Sequence, residues 1–592
     1  MRKLRAVLPA LLAAALLAGC ATVPTQGTIR SGERQGLAPD LGGVGVEAKP
    51  PRANVDEMAI VSGFLEAMSD SQAYDVARQY MTPEAAAAWK PELQTVVYDQ
   101  SPESLTKKGD GIQLSAPRIA TIGARGEWNP APVNAQTTFL FKLKKVDGQF
   151  RVDSVPPGAY LGSNQVDLKL ASRDLYFFNP ARELLVADPV YLPLNLSQGQ
   201  AATQLIQELL KGPTSRLGNG VTTVAPPGTE VQVSVPVDFG VATVALNDAA
   251  GGLRDQDRHL LAAQIVWTLN QINLRAKITV GGAPLLPDEP DVLPFANFTQ
   301  FDPQVPGAAL TKLFGLRRNK PQRIVGLDGS SDIAAQPLSS SKLSSYDAES
   351  FAVNLSGTFG AIITTTKNGD HVVMYGRLDP AGDKDDNLVP IKVEGKTLQP
   401  SFDNQDNLWI LDRADTDHPR LRVRGRDGKL TPVAVDFKGD LPEDLRMAPD
   451  GVRALLVMKP KAGDQNTVQI GTVQTRDGGK QLVLTELRHL QLGLTNITDA
   501  AWSKAGILVV GATANNPRRQ TWMVNTDGSS LQLLPGSTPD FTAEHVTSNP
   551  NKDTLPVIQD DSGRVHWLSK DLLWMTMDSD AGSAPITPTY PG

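Results

Sequence analysis

The residue with the most pointed chemistry is Cys20, the one cysteine among 592 residues. A lone thiol forms no disulfide within the chain, which leaves nucleophilic attack, metal ligation or modification of the sulfur. Its neighbours decide between them. Arg2, Lys3 and Arg5 make a basic start, Ala6 to Leu17 an apolar run, and Ala18-Gly19 a pair of small residues directly ahead of the thiol. That is the layout of an export signal with its cleavage site. The run, about twelve residues, falls short of the roughly 20 apolar residues that a membrane-spanning helix takes. A second group with chemical potential is Arg420, Arg422, Arg424 and Arg426, four guanidinium groups at alternate positions. On a strand, period two sets them on one face, a candidate docking stripe for an acidic protein surface or an anionic wall polymer. The same spacing suits an outer strand that faces water and guards its edge.

Catalytic patterns are missing. There is no His-Glu-x-x-His, no Cys-x-x-Cys and no Gly-x-Ser-x-Gly, and His259, His371, His418, His489, His545 and His566 fall singly. No catalytic residue, metal site or cofactor is assigned. Gly43-Val44-Gly45-Val46-Glu47-Ala48 has the glycines of a dinucleotide site without the strand that must precede them. Gly395-Lys396-Thr397 reads as a hairpin turn, since Pro390 stands where a phosphate loop begins with glycine. Asp379, Asp383, Asp385 and Asp386 lack the alternate spacing and the glycine of a calcium loop. The formal charge is −7, and cleavage ahead of Cys20 removes three of the 57 basic residues and none of the 64 acidic ones. An acidic body argues against nucleic acid as a partner and against a polybasic grip on lipid.

Leu17-Ala18-Gly19-Cys20 resembles the bacterial lipobox. The resemblance implies that residues 1–19 are a lipoprotein signal peptide, that the Cys20 sulfur receives a diacylglycerol, and that its freed amine takes an N-acyl chain such as palmitate. The protein is then lipid-anchored on the extracytoplasmic face of the cell membrane. Each buried CH₂ contributes about 0.8 kcal/mol, so two or more chains hold stably where one does not. Residues 20–53 carry the lipid and continue without an aromatic residue and with many Gly and Pro, a composition that buries too little to order itself. As a coil they reach about 30 Å.

The positioning elements start at Asn54. Met58, Val61, Leu65 and Met68 have helical spacing, two short helices follow at 74–80 and 83–89, and strand-like runs at 94–98, 112–124, 136–145 and 150–155 complete an α+β domain over 54–168. This order resembles the NTF2-like cone. A second α+β unit over 169–295 has strands at 172–178 and 184–192, a helix with Leu205, Ile206, Leu209 and Leu210 inward, strands at 230–237 and 241–246, a helix from Asp257 and a strand at 277–280. Its ordered pieces Leu209-Leu210-Lys211-Gly212-Pro213, Pro227-Gly228-Thr229, Val241-Ala242-Thr243-Val244 and Gln264-Ile265-Val266-Trp267-Thr268-Leu269 resemble the GerMN domain. Each piece alone is a helix stop, a turn or a core face, so the likeness concerns fold and not chemistry.

Residues 296–580 repeat. Asp328-Gly329, Asp427-Gly428, Asp477-Gly478 and Asp527-Gly528 are tight turns, the last three fifty residues apart. Interleaved with them stand Leu355-Ser356-Gly357, Ser401-Phe402-Asp403, Met447-Ala448-Pro449-Asp450-Gly451, Trp502-Ser503 and Ser548-Asn549-Pro550. Two interlocked series with short strands between them predict an all-β propeller of five or six blades, with 581–592 as a disordered tail.

Lipobox, leash, helix-first α+β domain, GerMN-like domain and propeller, in that order, resemble the LpqB family of actinobacterial lipoproteins. The resemblance implies a non-enzymatic accessory of an MtrA–MtrB type two-component system, whose partner is the extracytoplasmic domain of the sensor kinase MtrB and whose outputs are envelope homeostasis and division. It implies no contact residues. The other readings are an envelope hydrolase and a ligand-binding lipoprotein acting on cell-wall polymers. The hydrolase needs two carboxylates, or a nucleophile and a base, converging at one mouth.

Overall fold

The alternation of helix-first and strand-first segments resolves into two α+β domains and an all-β propeller. A computed structural model describes residues 48–592 apart from 70–73, 133, 305–310, 328–332, 380–386, 478–479, 505, 537–538, 552–553, 570 and 578–584. Cys20, its leader, residues 21–47, the Asp328-Gly329 turn and most of the 379–386 acidic loop lie outside the described residues.

Helix Glu57–Met68 starts at Asp56, whose carboxylate accepts the Ala59 N–H at 2.8 Å, and its apolar stripe buries Ile60, Val61, Phe64 and Leu65. Helices Tyr74–Gln79 and Pro83–Ala88 follow, the second capped by Thr82 with Pro83 opening it. Strand Gly111–Gly123 is the spine of the sheet, between Gln136–Val146 and Gln94–Tyr98, and Ala159–Gly162 adds on in parallel beyond Gln94–Tyr98. Asp147 and Gly148, at φ 51° and 77°, close the hairpin to Gln149–Val152. The helices cover this sheet, and Phe64 fills the space between them, edge-on to Trp89 and Phe141 at 5.8 and 6.0 Å.

In the second domain the hairpin Leu170–Phe178 with Leu185–Pro193 leads into helix Gln198–Leu210. A capping box at Ser197 and Gln200 starts that helix, and Gly212 at φ 85° ends it. Strands Val241–Leu246 and Arg275–Val280 pair in parallel across helix Asp255–Asn270, a βαβ crossover. The expected strand over 230–237 is broken. Val231 makes one bridge to Leu246, and regular pairing is confined to Val237–Asp238. Pro236 supplies no N–H at the point where a ladder would need one.

The propeller has six four-stranded blades among the described residues. Blades two to six begin at Ser350–Val353, Ser401–Phe402, Leu441–Met447, Thr495–Ser503 and Ala543–Thr547, and these first strands line the centre in succession. Blade one is built from Leu313–Arg317, Lys320–Val325 and Ala334–Pro337, with Ile586–Thr589 as its innermost strand. For the described residues 585–592 this corrects the reading of 581–592 as a disordered tail. Ile586 and Tyr590 are buried, and the Gly592 N–H reaches the Val353 carbonyl of blade two at 2.9 Å. Alternating Ile586-Thr587-Pro588-Thr589 is too short and too rich in threonine and proline to announce a strand by itself; the ring supplies its partner. The outer strands of blades three and four also pair, Val433 opposite Leu482, so two blades share one eight-stranded sheet and neither leaves that edge open.

Five turns of the two sequence series share one cause. Between first and second strands, Asn354, Asp403 and Asp450 accept backbone N–H groups from Thr358 (2.9 Å), Gln405 (2.9 Å) and Val452 (2.8 Å). Between third and fourth strands, Asp427 and Asp527 do the same for Lys429 (2.9 Å) and Ser529 (3.0 Å). A side-chain oxygen that mimics a backbone acceptor fixes each turn, and so the repeat survives in turns while the strands vary.

Candidate functional site

The four arginines of the expected stripe are placed by strand Arg420–Arg424, which lies inside blade three between Leu408–Asp412 and Leu430–Val435. It is therefore not an edge strand. Asp412, fully buried, accepts two bonds from Arg420, at 2.9 and 2.5 Å, and one from Arg422 at 3.0 Å. The hydrogen bond to Asp412 raises the Arg420 pKa, whereas burial lowers that of Arg422. Arg424 lies 4.5 Å over the Tyr375 ring. Arg426, past the strand end, bonds Asp406 at 3.1 Å. Each guanidinium thus has an internal contact, through which Arg420 and Arg422 brace the strand on Asp412 and Arg424 reaches blade two.

Among the described residues no group of three His, Cys, Asp or Glu side chains is arranged to hold a metal ion. Among the described residues, a convergence of titratable groups in the propeller centre spans three first strands. In Leu441–Met447, Leu445 and Met447 point into the core, and the alternate residues Asp444 and Arg446 bond each other at 2.9 Å. From the next strand Asp499 accepts the Val546 N–H at 2.9 Å and faces His545 Nδ1 at 3.4 Å. Burial pushes the Asp444 carboxyl up to about 6. For Asp499 burial acts upward too, but the His545 hydrogen bond and Arg446 hold it below the usual carboxylate range. His545 is raised in turn, first by that bond. The groups neutralise each other pairwise. Beside them a space of about 30 Å³ lies under Tyr590, Pro591 and Gly592, room for one or two waters.

A second concavity, about 140 Å³, lies where the first two domains meet, lined by Tyr74, Glu92, Lys169, Tyr191 and Gln204 among others. Among the described residues Glu92 is the single acidic residue in its lining and Lys169 the single basic one.

The feature that sequence reasoning missed is Arg216, which joins all three domains. It is 6% exposed. Its Nη1 donates to the Trp128 carbonyl of the first domain at 2.9 Å and its Nη2 to the Pro189 carbonyl of the second. The same fork stands 3.7 Å from Asp188 and 3.8 Å from Asp527 of the propeller. Its own carbonyl accepts from Thr472 at 2.9 Å and Arg488 at 2.8 Å, both propeller residues. Around it Arg125 of the first domain reaches the end of helix Gln198–Leu210, donating to the Gly212 carbonyl at 2.6 Å and pairing with Glu208 at 3.0 Å, the charge a helix C-terminus favours. At Gly220 a Cβ would stand 2.3 Å from the Thr472 methyl group, so only glycine lets the propeller approach. No local pattern marks a buried arginine in a loop; its partners are remote in sequence.

Asp174 belongs to this junction. Burial pushes its carboxyl up to about 6, against the pull of Arg453. Its folded-state value exceeds the unfolded value near 4, so the folded chain keeps the proton longer and stability falls as pH rises from about 4 through about 6. Asp174→Asn cannot ionise. It is expected to gain on the order of 2 kcal/mol over the parent at about pH 7.5 and almost nothing at about pH 3; a melting-temperature difference independent of pH would contradict this.

Family models match three consecutive stretches: "Lipoprotein LpqB, N-terminal domain" over 50–167, "Sporulation and spore germination" over 174–286 and "Lipoprotein LpqB beta-propeller domain" over 329–591. Lipoprotein LpqB of Streptomyces coelicolor is 30% identical across 100% of this chain and 98% of its own length. The Thermobifida fusca protein of the same name is 26% identical across 98% and 97%. Among solved structures, TolB from Acinetobacter baumannii is similar over 48% of this chain and 68% of its own, with 12% identity and a TM-score of 0.36. The tandem GerMN domains of Bacillus subtilis GerM are similar over 26% and 58%, with 22% identity and a TM-score of 0.18. At such scores the architecture rests on the sheets described above. With a full-length relative at 30% identity, this chain belongs to the LpqB family of lipoproteins.

Proposed function

We propose that the protein is a membrane-anchored, non-enzymatic accessory on the extracytoplasmic face, held by lipid on Cys20. It contacts the extracytoplasmic domain of a sensor kinase of the MtrB type and adjusts signalling in envelope homeostasis and division. The observation that carries this reading is the lock at Arg216, which ties the three domains to one another through one buried side chain and its carbonyl. A rigid body binds without the loss of domain freedom that a hinged one suffers, and tethering raises its effective concentration near another membrane protein. The charged groups in the propeller centre are satisfied by one another, which favours a contact role over catalysis.

Cys20→Ser tests the anchor and the partner together. Crosslinking in intact cells is expected to show the parent in the membrane fraction with a kinase adduct, and the variant released with the adduct lost. A Cys20→Ser protein that stays in the membrane fraction refutes the anchor. The hydrolase reading draws on Asp444 and Asp499; turnover of a wall polymer by the purified protein, abolished by Asp499→Asn, would establish it instead.

A further inference from the structure

The helices leave one face of the first domain's sheet uncovered. Ile112, Leu114, Phe141 and Val152 pack on the helix side, in one core with Ile60 and Phe64, so the residues that alternate with them face outward. Strand Leu105–Lys108 pairs beside Gly111–Gly123, and its Lys108 stands opposite Gly111, which in turn stands opposite Lys142. Two residues along the same face, Lys144 stands opposite Arg151. Neighbouring strands lie about 4.8 Å apart and successive residues of one face about 7 Å, so the register sets four bases on a patch about 16 Å across. Lys108, Lys142 and Lys144 are exposed, as are Ser115, Pro117 and Thr138 of the same face.

Charge and the tether select the occupant. The two hairpins, residues 105–112 and 140–154, hold six bases against Asp110, Asp147 and Asp153, of which Asp153 pairs with Lys144 at 2.8 Å. The chain as a whole carries −7, so its mean charge argues against a grip on anionic lipid while this face concentrates the opposite sign. The tether enters the domain here. The Tyr80 hydroxyl donates to the Lys49 carbonyl at 2.7 Å, the Asn54 N–H donates to Gln149 Oε1 at 2.6 Å, and Gln149 Nε2 donates to Asn54 Oδ1 at 3.0 Å. Gln149 opens the strand that holds Arg151, so Lys49 and Arg52, both exposed, stand beside the patch. Cys20 through Glu47 are 28 residues, and the coil that their composition predicts reaches about 30 Å. The membrane is therefore the anionic surface that stays within reach of this face.

We infer that this face, with Lys49 and Arg52, lies on the anionic phospholipid headgroups of the membrane that holds the anchor, and so sets the first domain against the bilayer. The inference rests on the Cys20 anchor proposed above. The experiment places the full-length protein, purified from membranes, on nanodiscs of phosphatidylcholine alone and of phosphatidylcholine mixed with phosphatidylglycerol, and reads lysine acetylation by mass spectrometry. On the anionic discs, acetylation of Lys108 and Lys142 is expected to fall roughly threefold or more, with Lys429 and Lys459 of the propeller unchanged. The protection is expected to vanish at about 1 M salt, where charges are screened within about 3 Å. Lys108→Glu combined with Lys142→Glu alters only exposed side chains, so the melting temperature is expected to hold while the protection of Lys49 and Lys144 is lost. Equal acetylation on both kinds of disc, in protein that stays bound to both, overturns this face and leaves the anchor standing. Protection that appears on neutral discs once the kinase is added makes the face a protein contact and overturns the lipid reading. Protein that washes off both kinds of disc overturns the anchor and this inference with it.

Discussion

Arg216→Met is expected to turn one cooperative unfolding transition into two and to lower the stability of the assembled body by on the order of 3–5 kcal/mol, the range seen when one partner of a buried charge pair is removed. The parent's two guanidinium nitrogens saturate carbonyls of two domains and face carboxylates of the second and third. Methionine fills most of the volume, so the loss is electrostatic and not a cavity. Asp188 keeps the Thr214 N–H at 2.6 Å and the Thr214 hydroxyl at 2.8 Å. Asp527 fares worse. Burial already pushes its carboxyl up, with Arg216 the first opposing charge, and among the described residues Oδ2 accepts no hydrogen bond. Without Arg216 that oxygen is a buried acceptor with nothing to offset it, and the propeller face holding it gains by separating and admitting water. Arg216→Lys keeps the charge but not the planar fork, cannot reach the Trp128 and Pro189 carbonyls together, and falls between the two. Calorimetry reads the outcome. A single transition in Arg216→Met, displaced by less than about 1 kcal/mol, would show that the apolar contacts alone unite the domains.

How much of this was legible beforehand follows from the range of each interaction. The Asp147-Gly148 hairpin, the capping box at Ser197 and the stop at Gly212 are complete within a few residues, so they show in the sequence. The two turn series showed for the same reason, since each Asx oxygen serves an N–H two to four residues ahead. The arginine spacing was read as a strand, but the pairing with Asp412 was not legible, because Asp412 lies eight residues before Arg420 on the neighbouring strand and only the register puts them together. The broken strand at 230–237 failed in the other direction: alternating valines satisfied the pattern, while Pro236 and the bend at Val233 withheld the ladder. Arg216, the Asp499–His545 pair and the closing strand all depend on contacts between residues dozens to hundreds of positions apart, and nothing local encodes them.

Removing residues 585–592 is expected to open the propeller and to cost on the order of 5 kcal/mol or more. Fully burying an aliphatic or aromatic side chain contributes about 1.5–3 kcal/mol, and Ile586 and Tyr590 are both 5% exposed. To these add hydrogen bonds worth about 1 kcal/mol each: Gln559 Nε2 to the Ile586 carbonyl at 2.9 Å, the Tyr590 N–H to Thr547 at 2.9 Å, and the Gly592 N–H to Val353 at 2.9 Å. These join blade one to blades two and six, so the loss falls on ring closure and not on one blade. Strand Leu313–Arg317 is left with an open edge facing the centre, a template for pairing with a second chain. Gly315→Val tests the same closure with the chain intact. Its Cβ would stand 2.6 Å from the Thr587 carbonyl oxygen, and the closing strand must move away to admit it. Both variants are expected to lose amide protection first at 313–317 and at the blade-two strand Ser350–Val353, then to aggregate below the parent's melting temperature, while the first domain keeps its exchange pattern. If exchange at 313–317 were unchanged in both, strand Ile586–Thr589 would not be what holds the ring shut.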